Sequence, residues 1–93
     1  MKKTMLFELG SIYVSPDAQA IFESGELDPQ ELLRRHVTAD WDEASDPEVV
    51  RASEKAIQSE GVIVSSWQIS GYTVWIRTDS SRKTTIIDLP LES

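Results

Sequence analysis

The hydrophobic pattern changes period about two thirds of the way along the chain. Before residue 61, three segments open alike: Ser15-Pro16-Asp17, Asp28-Pro29-Gln30-Glu31 and Asp46-Pro47-Glu48 each set a capping side chain before a proline, with acid close behind. A Ser or Asp oxygen accepts from the free amides of a first helical turn. Proline at the first helical position gives up no needed donor, and acids suit the positive end of the helix dipole. Helices are therefore expected over about 16–24, 29–36 and 47–60. Gly25 and Gly61 are expected to end the first and third as left-handed stops.

From residue 61 onward the chain is rich in β-branched and aromatic residues and lacks helical spacing. Ser70-Gly71 reads as a tight hairpin turn between strands at 62–69 and 72–78. Pairing Ile69 with Tyr72 sets Trp67 opposite Val74 and Ser65 opposite Ile76. That register collects Ile63, Trp67, Ile69, Tyr72, Val74 and Ile76 on a core face, and turns Val62, Val64, Ser66, Trp75 and Arg77 the other way. The polar loop Asp79-Ser80-Ser81-Arg82-Lys83 leads to a third strand at 84–89 that stops at Pro90. The opening Leu6–Val14 reads as a fourth strand, bulged or broken at Gly10. The order β-ααα-βββ predicts a two-layer α+β fold over residues 1–93 as a single domain. Three short helices pack on an antiparallel sheet, with a C-terminal meander and the N-terminal strand at an edge. Trp75 is expected to be covered by a helix or by the N-terminal strand; uncovered, it is a binding anchor.

Length and composition narrow the class. Ninety-three residues with 40% hydrophobic and 27% charged content match a globular chain rather than a disordered one. The absence of cysteine removes disulfides, thiolate metal sites and thiol nucleophiles. The apolar run Met5-Leu6-Phe7 is too short for a secretory segment and no stretch could span a bilayer, so a cytoplasmic protein is expected. The net charge of −7 is unevenly placed: residues 23–48 hold nine acids and two bases, and the rest of the chain balances seven against seven. Such a field repels phosphate and attracts basic surfaces, so direct nucleic-acid binding is disfavoured and a protein partner is favoured. The plainer reading is a solvated helical face that maintains solubility.

The stretch of densest chemistry is Arg34-Arg35-His36-Val37-Thr38-Ala39-Asp40-Trp41-Asp42-Glu43, which holds the single histidine. A catalytic reading makes His36 a general base oriented by Asp40 or Asp42, and then needs a nucleophile or a held water. Ser65, Ser66, Ser70, Ser80 and Ser81 lie in no nucleophile setting. Asp40, Asp42 and Asp46 do not complete a calcium loop, and four scattered glycines make no phosphate loop. The structural reading puts Arg34, Arg35 and His36 in the last turn of a helix, against unpaired carbonyls. Trp41 then plugs the gap between helices and sheet. No enzyme and no cofactor are expected, and replacing His36 by alanine is expected to leave function intact.

The order Arg35-His36, Asp40-Trp41, Ala56, Gly61, Ser65, Val74-Trp75-Ile76, Thr78, Arg82, Thr84-Thr85-Ile86 and Leu89-Pro90 resembles a family of small proteins. These are borne on bacterial plasmids, integrative elements and phages, and share an RHxxGDWG, vWIxT and TTIxLP pattern across nearly the whole chain. The sequence departs from it at Ala39 and Asp42, where the pattern has glycines, and at Leu91-Glu92-Ser93. The resemblance implies a mobile-element setting, where small acidic proteins block host CRISPR and restriction complexes. With the charge map, it leads to an expected anti-CRISPR-like inhibitor that uses Glu23, Glu26, Glu31, Asp42, Glu43 and Trp75 to bind its partner. The alternative is a regulatory module whose sheet face (Trp75, Arg77, Arg82, Lys83) takes a nucleotide or single strand. The sequence does not decide oligomeric state; an exposed edge strand would permit sheet extension.

Overall fold

All three expected caps form in the computed structural model, which describes residues 5–42, 45–69 and 71–89. Ser15 accepts from the Ala18 amide at 3.1 Å, and Asp28 and Asp46 accept from the Gln30 and Glu48 amides at 2.9 Å each. Behind them run α1 (Pro16–Ser24), α2 (Pro29–Val37) and α3 (Pro47–Ile57). The strands are β1 (Ser11–Val14), β2 (Ile63–Ile69), β3 (Tyr72–Thr78) and β4 (Thr84–Asp88), in the sheet order β1-β4-β3-β2. The architecture is α+β, as expected.

The hairpin register is also as expected: Ile69 pairs with Tyr72, Trp67 with Val74 and Ser65 with Ile76. Gly71 supplies the positive φ of 84° that a tight turn needs, while Ser70 and Pro90 lie outside the described residues. Ile69, Trp67, Val74, Ile76 and Ile87 face α1 and α2, burying Ala18, Ile21, Phe22, Leu32 and Leu33. A second cluster joins Phe7, Val37, Ala56 and Ile63, with Trp41 packed against it.

Several expectations are corrected. The sheet is mixed rather than antiparallel, because β1 runs parallel to β4. The fourth strand is only Ser11–Val14: Gly10 takes φ 67° and lies so close to the Lys83 backbone that no side chain would fit there. That turn directs the preceding residues toward α2, where the Leu6 amide donates to the Val37 carbonyl at 2.8 Å. Gly25 is not left-handed (φ −86°); the next residue, Glu26, is, at φ 52°. Gly61 is not left-handed either; it leaves room for Ala56, whose Cβ would lie 3.0 Å from a Cβ added there. α3 stops at Ile57, as Gln58 and Ser59 tighten into bonds to the Lys55 and Ala56 carbonyls. Tyr72, expected in the core, is 57% exposed beside the end of α1, beyond the reach of the helical layer.

Candidate functional site

His36 lies in the last turn of α2 and is fully buried. Neither Asp40 nor Asp42 orients it. Its Nδ1 is 2.6 Å from Ser65 Oγ and its Nε2 is 3.0 Å from Thr78 Oγ1. The indole Nε1–H of Trp67 donates to Ser65 Oγ at 2.7 Å. At the far end, Thr78 Oγ1 is 2.9 Å from Thr85 Oγ1, which donates to the Leu9 carbonyl at 2.8 Å.

The Leu9 end fixes the protons as far as the ring, and burial of the ring fixes the rest. Indole N–H can only donate and a carbonyl can only accept, and each hydroxyl has one proton to give. Thr85 gives its proton to Leu9, so Thr78 must donate to Thr85 and accept from His36 Nε2–H. Ser65 accepts from Trp67 and, with the ring held neutral by burial, has its own proton free to donate to His36 Nδ1. With a neutral ring the chain runs one way, Trp67 to Ser65 to His36 to Thr78 to Thr85 to Leu9, and the proton sits on Nε2. Burial lowers the His36 pKa to about 3, which agrees with that tautomer. Phe7 and Trp41 pack edge-on to the ring with centroids at 5.2 and 6.2 Å, and the ring has no exposed surface to offer a substrate.

Sequence reasoning left Ser65, Thr78 and Thr85 out of the core face. The signal was present in the strand alternation, which places Ser65 with Ile63 and Trp67, and Thr78 with Val74 and Ile76. Hydroxyls on a buried face require partners, and the only histidine supplies them.

The rest of the stretch forms the corner that holds His36 in place. The Asp40 amide donates to the Arg35 carbonyl at 2.8 Å and the Ala39 amide to the His36 carbonyl at 3.3 Å, with Ala39 at φ 57°. This is a Schellman stop with alanine in the position that favours glycine. Arg35 lies over the Trp67 ring at 4.7 Å, donates to the Asp40 and Trp41 carbonyls, and pairs with the Asp40 carboxylate at 3.3 Å.

The acids of residues 23–48 divide by type. The described aspartates are structural: Asp28 and Asp46 cap helices, Asp40 holds Arg35, and Asp42 accepts from the Gln68 amide at 3.1 Å. The described glutamates are exposed. Glu23 and Glu26 lie at the end of α1, Glu31 pairs with Arg34 in the open, and Glu48 opens α3. Glu23, Glu26 and Glu31 thus gather at the α1–α2 corner, with Asp42 on the outer edge of β2. Glu43 lies outside the described residues.

No family model, curated protein or solved structure matches this chain.

Trp75 occupies the opposite side of the sheet from α1 and α2, so one flat partner surface could not meet both it and the α1–α2 glutamates. It is partly covered by α3, at a groove of about 490 Å³ that also takes in Val49, Ala52, Val62, Val64 and Thr73. Of the cations considered beside it, two are committed within the fold and Lys83 is exposed. Arg82 donates to the carbonyls of Ala56, Ser59, Gly61 and Asp79, capping the C-terminal end of α3, and Arg77 lies 3.7 Å from Asp88. Among the described residues, no three His, Asp or Glu side chains are grouped so as to hold a metal ion. No described helix is long and apolar enough to cross a membrane.

Proposed function

We propose that this chain is a non-catalytic interaction protein that offers the carboxylates of its α1–α2 corner to a basic, nucleic-acid-binding surface of another protein. One observation carries the reading: the entire excess charge sits in residues 23–48, and the described glutamates there (Glu23, Glu26, Glu31 and Glu48) remain exposed while the aspartates build the fold. Carboxylates held on short helices can substitute for phosphates against lysines and arginines, with charge complementarity setting approach and register. The resemblance to mobile-element proteins supports a host CRISPR or restriction complex as the partner and inhibition as the outcome. His36, in its closed pocket, takes no part in chemistry under this reading.

Capture of the tagged protein from nuclease-treated lysates of cells expressing such complexes tests it. Wild type is expected to retain one complex, and Glu23→Lys/Glu26→Lys/Glu31→Lys is expected to lose it while keeping its folded spectrum. Asp42 is left out of the variant because its replacement would free the Gln68 amide. Equal capture by the variant, or recovery of nucleic acid alone, overturns the proposal.

A further inference from the structure

The two edges of the sheet are treated differently. Along the outer edge of β2, Ser53 of α3 donates to the Val64 carbonyl at 2.6 Å and accepts from the Val64 amide at 3.0 Å. Ser45 donates to the Ser66 carbonyl at 3.2 Å, and Asp42 takes the Gln68 amide. Side chains thus occupy groups that a further strand would need, and β2 is closed to extension.

Among the described residues, β1 has no such cover. The Ser11 and Ser15 amides point into the sheet, to the Lys83 and Ile87 carbonyls at 2.8 and 2.9 Å. By strand alternation, the amides and carbonyls of Ile12 and Val14 point outward. Residues 9–16 read Leu-Gly-Ser-Ile-Tyr-Val-Ser-Pro and carry no charged side chain, and Ile12 and Tyr13 are 44% and 60% exposed. Beside it, on the side facing α2, lies a groove of about 600 Å³ floored by Met5, Leu9, Leu33 and Val37.

We infer that β1 is a homodimer edge, taking β1 of a second copy in antiparallel pairing to form one continuous sheet. The edge is self-complementary. With Tyr13 opposite its own copy, Ile12 of each chain meets Val14 of the other. The four outward amides and four outward carbonyls then close into four hydrogen bonds around the two-fold axis. In that register the partner's Ile12 and Val14 side chains fall on the side of the apolar groove. The uncharged edge also lets two chains of net charge −7 meet without bringing like charges into register.

Sedimentation equilibrium of the full chain over micromolar to millimolar concentrations, in ordinary salt, tests the inference. The expected result is a reversible rise from monomer mass to twice that mass and no further. Ile12→Lys and, separately, Val14→Pro are expected to stay monomeric throughout with unchanged circular dichroism. Pairing with β4 does not use the Val14 amide, so its loss spares the fold. If Val14→Pro is unfolded, Ile12→Lys alone decides. A wild type that is monomeric at every concentration, a folded variant that still dimerises, or growth beyond the dimer overturns it.

Discussion

Ala39 holds a left-handed conformation that costs an L-residue about 1–2 kcal/mol. It holds it because the Schellman stop it completes places Arg35 over Trp67 and His36 between Ser65 and Thr78. Ala39→Gly is expected to raise stability by about 0.5–1 kcal/mol, read as a higher urea midpoint with unchanged slope. Gly10 is the converse. Its φ is positive and the Lys83 backbone fills the space a side chain would take, so Gly10→Ala should lose more than about 1 kcal/mol. An equal or higher midpoint for Gly10→Ala would refute the reading of β1's start. At His36, alanine would leave the buried Ser65 proton without its acceptor and Thr78 without its donor, and open a cavity, for a loss of roughly 3–5 kcal/mol. The expectation that this replacement is silent for function therefore needs a stability control before it can be judged. Most residues behind the mobile-element resemblance that bond inside the fold (Arg35, His36, Ser65, Thr78, Thr85 and Arg82) are framework residues.

At the scale of elements, the sequence was most legible where a local rule decides. Three Ser/Asp-Pro openings gave three helix starts, and a two-residue turn with alternating neighbours set the β2–β3 register residue by residue. It was least legible where a distant backbone decides. β1 is short because Gly10 meets Lys83, more than 70 residues away in the chain, and it is parallel because three helices intervene before the chain re-enters the sheet. The glycines at 25 and 61 misled for a related reason: either Gly25 or Glu26 could have taken the left-handed position, and Gly61 answers to Ala56 rather than to a turn. α3 does more than cover apolar surface, since Ser53 closes the β2 edge. Ser53→Ala strands the part-buried Val64 amide and carbonyl and should cost about 1–3 kcal/mol. It should also speed aggregation at high protein concentration, as light scattering would report; a variant as soluble and stable as wild type would remove Ser53 from that role.

For the molecule as a whole, burying a neutral imidazole couples folding to pH. The unfolded chain's histidine binds a proton below about pH 6.5, while the folded ring resists protonation down to about pH 3. Between those values the unfolded state holds more protons, so stability falls as pH is lowered and the loss is complete near pH 3. From pH 7 to pH 4.5 this group alone should remove roughly 2–3 kcal/mol, a loss that a folded His36→Asn variant would lack. Urea unfolding at the two pH values compares them directly. The candidate site was legible only as charge: the −7 excess in residues 23–48 could be counted, but which acids would be tied into the fold depended on Arg35, on Gln68 and on the helix starts. The account as a whole turns on the interior histidine being framework, with function left to the exposed glutamates. The most direct test is the ring-nitrogen NMR spectrum of His36 followed from pH 7.5 to 4.5 on the folded protein. The account predicts a single Nε2-protonated neutral tautomer that does not titrate across that range. A ring that titrates near pH 6.5 with the fold intact would place His36 in contact with solvent, and would contradict it.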